Sequence, residues 1–288
     1  MRALIREKAL RHSTDDGGGL SASEQRQYRG AVQIMQTELA ITRIHNQAVE
    51  LRVRDLLLNA LTVSSGAVDA ISFLALGKVF SAFMTGNIAY LGLRVAGASA
   101  PGAVSLLVSM AAFAVGVYLS TRIVKPTESS GMWSQRVTVA LGISLMAHAV
   151  FLDVWFATKG QPPVDVAHIL LGLWGFAMGI QSAAVRRLHV DGVFTTAATA
   201  TVIFLVGDLV DWRATVAERR RLAGVLISLF LGAIAGGLLL VHAHIYAPVL
   251  PFVITVAVVA TAAIVLRERG VTFEPQRSKS RTKVEGIC

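Results

Sequence analysis

Between Leu56 and Leu266 the sequence holds eight apolar segments, at 56–76, 80–96, 104–124, 137–156, 166–184, 193–210, 222–241 and 247–266. Several reach the roughly 20 residues that a helix needs to cross a hydrocarbon layer about 30 Å thick. No other feature constrains the fold as strongly, because lipid offers no partner to a backbone N–H or C=O, and a long apolar run meets that demand as a helix. Composition agrees: 54% of the residues are hydrophobic and 16% charged, where a soluble domain carries about a quarter charged. The expected fold class is an all-α polytopic membrane protein.

Two of the eight segments are interrupted. In the stretch Gly66 to Leu93 a carboxylate, Asp69, is followed by a polar break at Thr85-Gly86-Asn87. A weaker copy spans Gly179 to Asp208, where Gly179-Ile180-Gln181-Ser182 matches Gly66-Ala67-Val68-Asp69. After a one-residue insertion, Thr199-Ala200-Thr201 matches Thr85-Gly86-Asn87. Breaks at corresponding places in two halves point to a transporter-type site. On a helix, Thr62, Ser65, Gly66, Asp69 and Ser72 share one face. Asp69 lies ~20 Å along the first segment, where a charge costs roughly 2.5–3.5 kcal/mol. Such a carboxylate serves either function or interhelical bonding, and it is expected to face the protein interior near the first break.

The motifs carry a resemblance. Gly66-x-x-Asp69-Ala70, the Phe80-to-Asn87 run ending Met-Thr-Gly-Asn, Gly179-x-Gln181, Arg186-Arg187, Thr195-Thr196 and the glycine-rich Gly232-to-Leu240 run are similar to the YoaK-like family of bacterial integral membrane proteins. The resemblance covers roughly Leu51 to Arg267. It implies a fold type and a location, the plasma (inner) membrane, and no established substrate.

Charge arbitrates the number of crossings. Nine of the 27 Lys and Arg precede Leu56 and six follow Leu266, which leaves twelve in the connections. If all eight segments cross, those twelve divide evenly between the two sides. If the second and sixth return to their own side, nine lie inside and only Lys78, Arg94 and Lys159 outside, as the positive-inside rule requires. The expected architecture is therefore six transmembrane helices plus two short broken or re-entrant segments. Three crossings per half make the two repeats inverted, at about 55–157 and 164–266. Residues 1–54 form a polar basic extension with no signal-peptide core, residues 267–288 a basic disordered tail, and both termini are cytoplasmic. Ser21-x-x-Glu24 is a capping-box pattern from which a helix could run on into the membrane.

Function is expected from the breaks. One reading is a secondary transporter or permease for a small solute. Asp69, Thr85, Gly86 and Asn87 would form one side of its site, and Gln181, Thr195, Thr196 and Thr199 the other. If a half-helix opened near Asn87, its free N–H groups would suit an anionic group. The alternative is a membrane scaffold, lipid-interacting protein or partner subunit. Gly66, Gly116, Gly175, Gly179, Gly232 and Gly236 are expected at close helix contacts. His148 reads as a satisfied packing histidine. No zinc-protease, nucleophile-elbow, P-loop or dinucleotide motif is present, so no enzyme, catalytic residue or cofactor is expected. The single cysteine, Cys288, and the His242/His244 pair make no metal site. The basic ends lack interleaved aromatics, so they suit anionic lipid headgroups and not nucleic acid. Self-association as a homo-oligomer is left open.

Overall fold

The computed structural model describes residues 22–124, 133–188, 198–211 and 215–266. Thr195, Thr196 and the 267–288 tail lie outside the described residues. The chain divides into two units, Met1–Glu50 and Leu51–Cys288. In the first unit the described residues belong to helix α1, Ala22–Ala75, and their side chains are mostly exposed. Thr37 and Thr42 turn their hydroxyls back onto the carbonyls of Gln33 and Glu38.

The described part of the second unit is helical, and α1 is followed there by seven further α-helices. These are α2 (Met84–Val95), α3 (Ala103–Ile123), α4 (Gln135–Ala157), α5 (Val164–Arg186), α6 (Ala198–Asp211), α7 (Val216–His242) and α8 (Val249–Thr261). A 3-10 turn at His244–Tyr246 precedes α8, and a π-helical turn at Ala262–Leu266 extends it. Six stretches are long and apolar enough to cross a membrane: Ala48–Ala75, Ala103–Ile123, Gln135–Ala157, Val164–Arg186, Val216–His242 and His244–Val265. The 12 residues of α2 and the 14 described residues of α6 make ~18 and ~21 Å of helix. The helix in the second apolar segment starts late, because residues 79–83 are not helical.

Local chemistry sets the boundaries. α1 stops at a reversal in which Gly77 (φ 94°) and Lys78 (φ 61°) both adopt left-handed backbone, strained for the lysine. Ser134 caps α4 by accepting the Arg136 N–H. Thr215 and Glu218 form a reciprocal capping box at the start of α7. Pro163 and Pro248 stand just ahead of α5 and α8, where a missing N–H costs nothing.

Burial separates central helices from peripheral ones. Protein covers 61% of the α1 span and 56% of α5, but only 22% of α3 and of α7. Exposed Leu107 and Tyr118 on α3, and Ile227, Phe230 and Leu238 on α7, match a lipid-facing surface. α5 packs against both α3 and α4, α6 packs on α7, and α8 on α4.

Glycines set the closest crossings. A Cβ on Gly66 of α1 would meet the Leu229 carbonyl oxygen of α7, and one on Gly232 of α7 would meet that of Val63. On the other pair, Gly179 of α5 lies against the Phe113 carbonyl of α3, and Gly116 of α3 against that of Phe176. Gly236 and Gly175 sit at the same two crossings, where a Cβ would fall 2.7 Å from Ala67 Cα and from the Ser109 carbonyl oxygen. Backbones this close leave no room for any side chain.

Candidate functional site

The first break is a short loop tied down on several sides. Residues 79–83 are not helical between the α1 reversal and α2, so their N–H groups have no partner within a helix turn. Asp69, one and a half turns before the end of α1, supplies two bonds. Its Oδ1 accepts the Ser81 N–H at 2.8 Å and the Ala82 N–H at 2.7 Å. Asn87, in the first turn and a half of α2, supplies two more. Its Oδ1 accepts the Phe80 N–H at 3.0 Å, and its Nδ2 donates to the Phe80 carbonyl at 2.7 Å. Ser109 of α3 donates to the same carbonyl at 2.8 Å, and the hydroxyls of Ser72 and Ser81 lie 2.8 Å apart. The Phe80 ring stacks on Phe73 and Tyr90.

Spacing alone brings these groups together. Asp69 and Ser72 share the interior face of α1, and the left-handed pair Gly77-Lys78 turns the chain back over that face. Asn87 is fully buried, whereas Asp69 is half-buried. A carboxamide carries a donor and an acceptor side by side and so can pair with both the N–H and the C=O of a single residue, as Asn87 does here.

Of the other candidates, Thr85 is exposed and Gly86 half-buried against the Phe83 ring. The short helix opens at Met84, within one turn of Asn87, but not every N–H in its first turn is free. The amides of Met84, Gly86 and Asn87 donate to the carbonyls of Ala82 and Phe83. These groups are therefore already occupied. In the second break Thr199 is exposed and Thr201 is fully buried. Gln181 is fully buried on α5 and donates through Nε2 to the Leu61 carbonyl of α1 at 3.1 Å. Its partner is thus the first helix and not either break.

His148 on α4 is buried as packing residues are, but neither ring nitrogen has a hydrogen-bond partner among the described residues. It faces Trp174 of α5, with ring centroids 6.3 Å apart, and Trp174 stacks on Phe151 at 3.5 Å. Sequence reading missed this aromatic set. The Phe151 and Trp155 spacing on α4 was the available signal, since it places both rings with His148 on one face. Among the described residues, no group of three His, Cys, Asp or Glu side chains could hold a metal ion.

Helical membrane architecture, with a buried carboxamide and a half-buried carboxylate fastening a non-helical segment, marks a polytopic membrane protein. Residues 57–261 match the family model "Protein of unknown function (DUF1275)", and the chain belongs to that family. It is also 35% identical over 156 residues to the "UPF0700 transmembrane protein YoaK" of Bacillus subtilis (strain 168). That alignment covers 54% of this chain and 67% of the relative. No solved structure matches.

Proposed function

We propose that this protein is a permease or secondary transporter for a small solute, built from two inverted halves that each contain three crossings and one short broken segment. One observation carries the reading: the glycine crossings are reciprocal. A single offset in sequence relates Gly66 to Gly179 and Val63 to Phe176, and a second relates Phe113 to Leu229 and Gly116 to Gly232. Each half thus lends its first helix to the third apolar segment of the other half, by equivalent atoms. The burial of the helices follows the same pairing, with α1 and α5 central and α3 and α7 peripheral. Halves related in this way can rock against each other around a site on their shared interface, the arrangement that alternating access requires.

In this reading Asp69 and Asn87 fix the shape of the first broken segment, and the solute lies between the halves. Flux measurement tests the proposal. Cells lacking the protein, cells overproducing it and proteoliposomes of the purified chain are compared across a panel of small solutes. At least one solute is expected to move faster in proportion to protein. No protein-dependent flux in any of the three systems would overturn the transport reading.

The carboxylate and carboxamide also favour a second reading, a non-transporting membrane module, because both bond main chain in the way a purely structural pair would. That reading expects deletion to alter the level of a partner protein and to leave solute fluxes unchanged.

A further inference from the structure

Two apolar clusters fill the second unit, and a layer of buried polar side chains separates them. On α1 one cluster ends at Leu61 and the other resumes at Val68, with Thr62, Ser64 and Ser65 fully buried between. On α4 the interval between Leu141 and Ala147 holds Ser144, and on α8 the interval between Ala247 and Val258 holds Thr255. Several of these hydroxyls are satisfied close by. Thr62 donates to the Leu58 carbonyl at 2.8 Å, Ser144 to that of Ala177 at 3.1 Å, and Thr255 to that of Pro251 at 2.7 Å.

Four residues in and beside the layer differ. Ser65 Oγ, Gln181 Oε1, Trp174 Nε1 and both ring nitrogens of His148 have no hydrogen-bond partner among the described residues, and each residue is at least 99% buried. The Leu61 carbonyl, one turn back from Ser65, receives Gln181 Nε2 and not the Ser65 hydroxyl. The four also lie along one seam. Ser144 and His148 are one turn apart on α4, and the Ala177 carbonyl that Ser144 reaches is one turn from both Trp174 and Gln181 on α5. His148 and Trp174 face each other, and Gln181 touches α1 one turn before Ser65.

Unpartnered buried polar atoms each cost stability, and folded proteins keep few of them without a reason. Of the nine described residues with such atoms, these four line the seam where α1, α4 and α5 meet. Resting on the transport reading, we propose that Ser65, His148, Trp174 and Gln181 form the solute-binding wall, and that the ligand is a small neutral solute that both donates and accepts hydrogen bonds, a polyol or an amide. Neutrality follows from the side chains, none of which is a carboxylate, lysine or arginine. The mixed character follows from Trp174, which only donates, Gln181 Oε1, which only accepts, and Ser65 and neutral His148, which do both. The flanking apolar clusters close the seam at both ends, as an occluded carrier needs and an open pore would not.

The test uses the full chain with Cys288, its single cysteine, replaced by serine. Ser65→Cys is treated with 2-hydroxyethyl methanethiosulfonate, itself a neutral hydroxylic probe, with and without glycerol or urea. Labelling that either solute slows is expected, whereas Leu171→Cys, buried in the apolar cluster, stays unlabelled. In proteoliposomes, His148→Phe, Trp174→Phe and Gln181→Leu are expected to slow glycerol or urea entry about tenfold, the loss of one hydrogen bond at the barrier. A folded Ser65→Cys protein that does not label, or labels without protection, overturns the proposed wall whatever the other variants do. Protein-dependent flux of other solutes, untouched by these variants, also overturns the wall and leaves the transport reading standing. Protected labelling with no flux of any solute keeps the site and removes the transport reading.

Discussion

Asn87 and Asp69 hold the same loop by different chemistry, so substitutions separate their parts. Asn87→Asp keeps an acceptor for the Phe80 N–H but sets a second oxygen against the Phe80 carbonyl, where Nδ2 now donates. Asn87→Ala removes both bonds, yet the carbonyl keeps Ser109 and only the N–H is orphaned. An orphaned buried group costs about 1–3 kcal/mol. The expected order of thermal stability in detergent is wild type, then Asn87→Ala, then Asn87→Asp, and equal midpoints for the two variants would refute the clasp. Asp69→Asn retains an oxygen to receive the Ser81 and Ala82 N–H groups, whereas Asp69→Ala orphans two donors. Asn at position 69 is therefore expected to lower the midpoint less than Ala, and equal midpoints would show that the charge, not the acceptor geometry, holds the loop. The Asp69 face and the Asn87 break were legible as polar interruptions in lipid-suited sequence. Their partners were not, since a main-chain partner leaves no trace in residue identity.

At the level of helices, the crossings give the sharpest contrast. Gly66, Gly116, Gly179 and Gly232 each press on a carbonyl oxygen of a neighbouring helix, and backbone cannot step aside as a flexible side chain can. Gly142, in the middle of α4, has nothing within 4 Å of where its Cβ would stand. Gly179→Ala is thus expected to lose folded protein by fluorescence-detected size exclusion, with Gly66→Ala behaving alike because it occupies the equivalent place. Gly142→Ala should be neutral or gain up to about 1 kcal/mol from helix propensity. A tolerated Gly179→Ala would mean that α3 and α5 are farther apart than the crossing requires. The six long helices were readable because hydropathy alone makes a spanning helix. The late start of α2 was not, because apolar Phe80 and Ala82 look helical until Asp69 and Asn87 take their main chain out of the helix. Nor could the sequence show that Ser65 and His148 lack partners. That depends on which carbonyl faces which side chain after α1, α4 and α5 have packed.

On the scale of the whole chain, the proposed architecture, with six crossings and with α2 and α6 returning to their own side, predicts an orientation from where the cations stand. The α3–α4 connection carries Arg122, Lys125 and Arg136, and the stretch from α5 to the start of α7 carries Arg186, Arg187, Arg213 and Arg219–Arg221. In that arrangement Lys78, Arg94 and Lys159 would stand on the opposite side. Because Lys and Arg are retained in the cytoplasm during insertion, the richer side should be cytoplasmic, together with both ends of the chain. The alternative in which α2 and α6 cross leaves no charge bias, and at ~18 Å α2 by itself could span only by thinning the bilayer. The two arrangements differ most at Ala98, exposed in the turn between α2 and α3. With six crossings Ala98 faces away from the cytoplasm, and with eight it faces inward. In intact cells an impermeant maleimide is therefore expected to label Ala98→Cys, made in the Cys288→Ser background. Native Cys288 should label only after the membrane is opened. Gln161→Cys, exposed in the α4–α5 turn, should behave like Ala98→Cys, since α3 and α4 are crossed between them. Labelling of Cys288 but not Ala98→Cys in intact cells would invert the orientation, and labelling of neither until the membrane is opened would restore eight crossings.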